Sequence, residues 1–103
     1  MKKDDGPQGT CYINIFNGVF KKDLGRMLAM DPYVKLFIGG KMIKQTKTAT
    51  RAGKTPKWNE LIEYKVTDLD ETVEFKAYDD DIGTDAPIGS GSAKLSKFCP
   101  AGI

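Results

Sequence analysis

Histidine is absent from all 103 residues. That removes the side chain most often used as a general base and the commonest zinc ligand. Cysteine is scarce: Cys11 and Cys99 are too few and too far apart to read as a metal knuckle or a disulfide framework. Cys11 alternates with Ile13 and Ile15 and reads as a small core residue. Long apolar runs are missing too. The longest apolar-leaning stretch, Tyr33 to Ile38, is strand-length and interrupted by Lys35, far short of the ~20 residues of a membrane helix. The opening Met1-Lys2-Lys3-Asp4-Asp5-Gly6 is polar and holds no secretory apolar segment. Together these absences exclude most enzyme chemistries and make a cytoplasmic, non-enzymatic domain the expectation.

What is present is an ordinary globular balance, 40% hydrophobic and 29% charged, enough for one core. The net charge is only +2, but the charges are sorted along the chain. From Lys35 to Lys57 there are seven Lys and Arg and no acid; from Asp68 to Asp85 there are eight acids and one base, Lys76. Such asymmetry marks two surfaces of opposite sign.

Alternating apolar residues place strands at Cys11–Ile15, Tyr33–Ile38, Met42–Ala49, Ile62–Val66 and Val73–Ala77, with a weaker one from Ile88 through Ala93 and Leu95. Asn17-Gly18 ends the first, and residues 19–30 read as a loop. Gly39-Gly40 is a two-residue hairpin turn. If it closes on those glycines, Ile38 faces Lys41 and Lys35 faces Lys44. Like charges placed opposite weaken a sheet, so Lys35, Lys44 and nearby Lys47 either form a basic docking face for an anion or extend singly into water. Six short strands without a convincing helix predict an all-β, antiparallel β-sandwich. The divisions are an N-terminal arm at 1–8, a domain at 9–98 and a tail at 99–103.

Tyr78-Asp79-Asp80-Asp81-Ile82-Gly83-Thr84-Asp85 follows a strand directly. Carboxylates so crowded repel one another unless a cation or a donor network holds them. An oxygen-seeking ion such as calcium would compensate, taking 6–8 oxygens in flexible geometry; a solvated acidic turn is the other reading. In a sandwich the connections 17–31 and 79–88 can emerge at one end, bringing Asp23 and Asp31 towards Asp79, Asp81 and Asp85. An EF-hand loop does not fit: Gly83 is at the fifth place and Ser90 at the twelfth. The Asp79-x-Asp81 pair lacks the parallel sheet of a phosphoryl-transfer fold, and acidic loops opposite the basic hairpin argue against nucleic acid.

Several of these features occur in one order. Gly9 with Cys11-x-Ile13-x-Ile15, then Phe20, Asp23, Asp31-Pro32-Tyr33-Val34-Lys35-Leu36, Pro56-Lys57-Trp58-Asn59-Glu60, Val66, Tyr78-Asp79-x-Asp81 and Ile88-Gly89 resemble the C2 domain, from Gly9 to about Leu95. The resemblance implies a C2-like Greek-key sandwich, with its last one or two strands absent from this chain. It also implies calcium ligation by Asp23, Asp31, Asp79 and Asp81. Asp85 would substitute for the last ligand, whose usual place is Ala86, while Asp80 would point to solvent. The implied activity is calcium-dependent, peripheral binding to anionic phospholipid membranes, phosphatidylserine or phosphoinositide, with Lys35, Lys44 and Lys47 on the headgroups. Leu24, Met27, Leu28 and Met30 would either dip into the bilayer or pack under their own loop. The alternative is a calcium-independent interaction or scaffold domain with degenerate metal loops.

Overall fold

The computed structural model describes residues 9–20, 30–80 and 85–98. Six strands follow one another: β1 (Gly9–Asn17), β2 (Pro32–Ile38), β3 (Lys41–Gln45), β4 (Lys57–Val66), β5 (Thr72–Asp79) and β6 (Ala86–Lys94), with a 3-10 turn at Leu95–Lys97. Antiparallel pairing sorts them into a two-stranded sheet, β1-β4, and a four-stranded sheet, β3-β2-β5-β6. The expected all-β sandwich is the observed architecture.

Alternation in the sequence builds the core. Cys11, Ile13 and Ile15 of β1 with Ile62 and Val66 of β4 meet Val34, Leu36, Ile38, Val73 and Ala77 from the other sheet, and Leu95 joins them. Each fully buried aliphatic side chain of this kind is worth about 1.5–3 kcal/mol. Trp58 lies half-buried beside them and donates its indole N–H to the Pro32 carbonyl at 3.1 Å, linking β4 to the opposite sheet.

The β2–β3 hairpin turns as expected. Gly39 and Gly40 adopt φ of +62° and +83°, the left-handed region that a side chain disfavours. Its register departs from expectation: Ile38 faces Lys41, but a bulge between Leu36 and Phe37 puts Lys44 opposite Leu36 and Lys35 opposite Gln45. One inserted residue turns Lys44 to the face that looks at the other sheet. There it reaches Glu60 of β4 at 3.4 Å. β3 also ends at Gln45 rather than continuing to Ala49. The buried Thr46 explains the exit: its N–H still donates to the Val34 carbonyl at 2.9 Å, but its hydroxyl rather than a main-chain carbonyl accepts the Val34 N–H at 2.9 Å.

Two further expectations change. Cys11 is in the core, 1% exposed, but it is disulfide-bonded rather than a simple apolar filler. The other cysteine of the sequence, Cys99, lies outside the described residues. Leu95 belongs to the 3-10 turn, not to the last strand, and plugs the core there. A cleft of about 760 Å³ lies between β1 and β6, lined by Ile15, Phe20, Trp58, Phe75 and Ile88 among others. No helix among the described residues is long and apolar enough to cross a membrane.

Candidate functional site

Three connections meet at one end of the sandwich. Pro32 pairs with Asp79 in the β2–β5 ladder, so the residues just outside it, Asp31 and Asp80, are neighbours; the Asp80 N–H donates to the Asp31 carbonyl at 2.9 Å. The Asp79 carboxylate is 6% exposed and accepts the Asp31 N–H at 2.8 Å. Asp31 in turn accepts the Arg51 N–H at 2.6 Å, and Arg51 holds a left-handed φ of +57°. Charge-assisted bonds of this type are roughly twice as strong as neutral ones. Asp31 and Asp79, which border the two predicted Asp-bearing connections, are therefore in contact, and the segment after β3 clasps Asp31.

Around this centre Asp80 and Asp85 are also engaged. Asp80, exposed as expected, nonetheless accepts the Thr48 hydroxyl at 2.9 Å. Asp85 accepts the phenol proton of Tyr33. Burial, then that hydrogen bond, pushes the Tyr33 pKa up to about 12. Tyr33 stacks on Tyr78 with ring centroids 5.6 Å apart. Asp23 and Asp81 lie outside the described residues, and among the described residues no group of three or more His, Cys, Asp or Glu stands close enough to hold a metal. Asp31 and Asp79, joined through the Asp31 N–H, each carry hard carboxylate oxygens, the donor type that calcium takes.

The expected apolar loop contact is partly overturned. Met30 is 1% exposed, held where the chain enters β2 by its carbonyl accepting the Gly53 N–H at 3.0 Å. It is a core residue, not a membrane probe. Leu24, Met27 and Leu28 lie outside the described residues.

Nor do the three expected lysines share a face. Lys44 is turned inward to Glu60 by the bulge, and Glu60 also accepts the Lys47 N–H at 2.8 Å. Lys35 stands on the outer face of the four-stranded sheet, directly opposite Lys76. Its ammonium lies 5.2 Å from the Tyr78 ring centre, and that of Lys76 lies 5.1 Å from Phe37. Each cation is steadied by an aromatic face, which offsets the like-charge repulsion across the strands. Lys76 was the residue that sequence reasoning missed. Its signal was visible: it is the single base in the acidic half of the chain and lies two residues from Tyr78, on the same side of its strand.

Comparison with known proteins agrees with this fold. A family model described as "C2 domain" matches residues 9–102. The 16 kDa phloem protein 2 of Arabidopsis thaliana is 30% identical over 90 residues, covering 86% of this chain; the chain spans only 60% of that relative's length. Among solved structures, the first C2 domain of plant Extended Synaptotagmin 1 is 29% identical with a TM-score of 0.72, over 88% of this chain and 72% of that one. A C2 domain-containing protein from a putative elicitor-responsive gene is also 29% identical, with a TM-score of 0.69, over 90% of this chain and 69% of that one.

Proposed function

Given that this chain belongs to the C2 domain family, we propose that it is a peripheral membrane module that binds anionic phospholipid when calcium fills its loop end. The observation that carries this reading is the contact between Asp31 and Asp79, residues 48 positions apart, at one exposed end of the sandwich. With Asp23, Asp81 and Asp85 contributed by the same connections, five carboxylates would surround one pocket. When bound, calcium supplies positive charge at a pocket otherwise negative, and so reverses the sign that headgroup phosphates meet.

The chain's own residues do the rest. The buried Asp79 fixes the Asp31 backbone, and the Arg51 N–H orients the Asp31 carboxylate. On the flank, Lys35 and Lys76 present two ammonium groups over Tyr78 and Phe37, worth about 1 kcal/mol each near an anionic leaflet. Phosphatidylserine and phosphoinositide headgroups both carry the phosphate they would meet.

The test is co-sedimentation of the full chain with vesicles containing phosphatidylserine. Binding should appear with calcium and vanish with chelator, and Asp31→Asn with Asp79→Asn should abolish the calcium response.

A second reading is a calcium-independent interaction domain. It is favoured by the number of carboxylate oxygens already used within the protein, those of Asp31, Asp79, Asp80 and Asp85. Calorimetric titration separates the two: neither heat nor thermal stabilisation at about 1 mM calcium, a weak extracellular-type affinity, would decide for the scaffold.

A further inference from the structure

The two layers of the sandwich differ in width. The Lys44 ammonium and the Lys47 N–H both reach Glu60 of β4, so β4 lies over the β3 side of the four-stranded sheet, with β1 next to it. Among the described residues the two-stranded sheet ends at β1, and the cleft of about 760 Å³ opens between that edge and β6. Its walls are fixed in place. Gly18 N–H donates to the Pro56 carbonyl at 3.0 Å, Phe20 N–H to that of Lys54 at 2.8 Å, and the Trp58 indole to that of Pro32 at 3.1 Å.

The lining shows how β1 is turned. Residues 14–20 border the cleft without a gap, as do 88–90 of β6. Successive strand residues point to opposite faces, so an unbroken run borders a cleft where the main-chain edge of the strand looks into it. The floor is apolar and includes Val34, Phe75 and Ala77, and none of the lining residues is charged. Opposite Phe75 and Ala77 in the β5–β6 ladder stand Gly91 and Gly89, and a Cβ added at either meets nothing within 4 Å. Glycine inside a strand marks a place where another backbone can come close.

We propose that this cleft takes one extended, uncharged peptide segment of a partner protein, which adds to β1 as a further strand and sets alternate apolar side chains on Val34, Phe75 and Ala77. Every second residue of an edge strand directs its N–H and C=O away from its one neighbour, and an added strand satisfies those groups and the apolar floor together. A small apolar molecule would fill the floor and leave the edge unpaired. The β1 strand of a second copy is the weaker candidate, because its apolar face, Cys11, Ile13 and Ile15, is already buried in its own core. The proposal uses neither calcium nor anionic lipid, so it stands or falls apart from the membrane reading.

The experiment is a fluorescence titration of the full chain, in excess chelator and without lipid, since Trp58, the only tryptophan, lines the cleft. The probe is a capped peptide of alternating threonine and valine, about seven residues long, with two lysines appended for solubility. It should shift the Trp58 emission to the blue and saturate. The same peptide N-methylated at alternate main-chain nitrogens should bind at least about tenfold more weakly, because its ladder donors are gone. A peptide with aspartate in place of the valines should not bind. Gly89→Leu, on a backbone outside the left-handed region, should fill the cleft and weaken binding, with thermal melts confirming that the variant folds. Equal binding of the N-methylated peptide overturns the proposal in favour of an apolar pocket for small molecules. An absent response overturns it as well, and so does a chain that doubles its mass in sedimentation without peptide and then ignores the probe, in favour of a second copy.

Discussion

Each end of the sandwich has a tyrosine whose hydroxyl is held by a carboxylate, and the two pairs sit in opposite settings. At the far end Tyr64 donates to Glu71 at 2.7 Å, while the Glu71 carbonyl accepts the N–H of Leu95 at 2.8 Å and the Leu69 carbonyl that of Ser96 at 3.1 Å. Leu95 is fully buried there. Polar bonds at this end trim an apolar plug. At the loop end Tyr33 donates to Asp85, and Asp79, Asp31 and Asp80 each accept a proton from another connection. Here the polar bonds themselves hold the segments together. One end is stabilised by removing apolar surface from water; the other is held by hydrogen bonds that its carboxylates accept.

The sharpest way to break this contrast is to empty the plug. Leu95→Ala should cost about 2–5 kcal/mol in urea denaturation, with calcium affinity per folded molecule unchanged. If the loop end responds equally, the two ends are not separable. Asp79→Ala should cost less, about 1–3 kcal/mol, because it leaves the Asp31 N–H without its acceptor. Its signature is chemical, and calcium should no longer raise the melting temperature.

Gly39→Ala probes the far end from the hairpin side. A Cβ there would stand 2.7 Å from Glu71 Oε2, on a backbone with φ of +62°. The cost should be about 1–2 kcal/mol from the left-handed backbone. A displaced Glu71 would also free the Tyr64 hydroxyl, seen by ultraviolet titration as a fall in the Tyr64 pKa. The smallest effect is that of the tyrosines at high pH. Burial first, and then the partner carboxylate, push both Tyr33 and Tyr64 up to about 12 from 10.0. The fold thus favours the protonated phenol. This stabilisation is complete below pH 10 and is lost as pH rises through about 12. Tyr33→Phe and Tyr64→Phe should each flatten that alkaline decline, at a cost of about 1 kcal/mol at neutral pH.

Much of the architecture could be read from the chain because it rests on alternation and turn chemistry. Cys11, Ile13 and Ile15 declare an inward face, and Gly39-Gly40 declares its turn. The approach of Asp31 to Asp79 was expected because the connections 17–31 and 79–88 can leave one end of a sandwich, although the ladder that joins them was not foreseen. What escaped was set by registers and distant partners. The β3 bulge, which separates Lys44 from Lys35, leaves no mark in composition. The pairing of Lys35 with Lys76 requires knowing that β2 and β5 are neighbours. Met30 resembles any loop methionine until the Gly53 N–H is seen to hold its carbonyl. Cys11 behaves as an apolar residue in every local pattern, and only the folded chain reveals its covalent bond.

β1 has a practical consequence. From Gly9 to Asn17 it carries no charged residue, whereas β3, which borders the other sheet, carries Lys41 and Lys44. Among the described residues β1 has one strand neighbour, β4. Edges without charge or proline invite pairing between molecules. Concentrated stocks of the purified chain will therefore cloud by way of this strand sooner than by way of its acidic or basic poles, and handling should favour dilute samples.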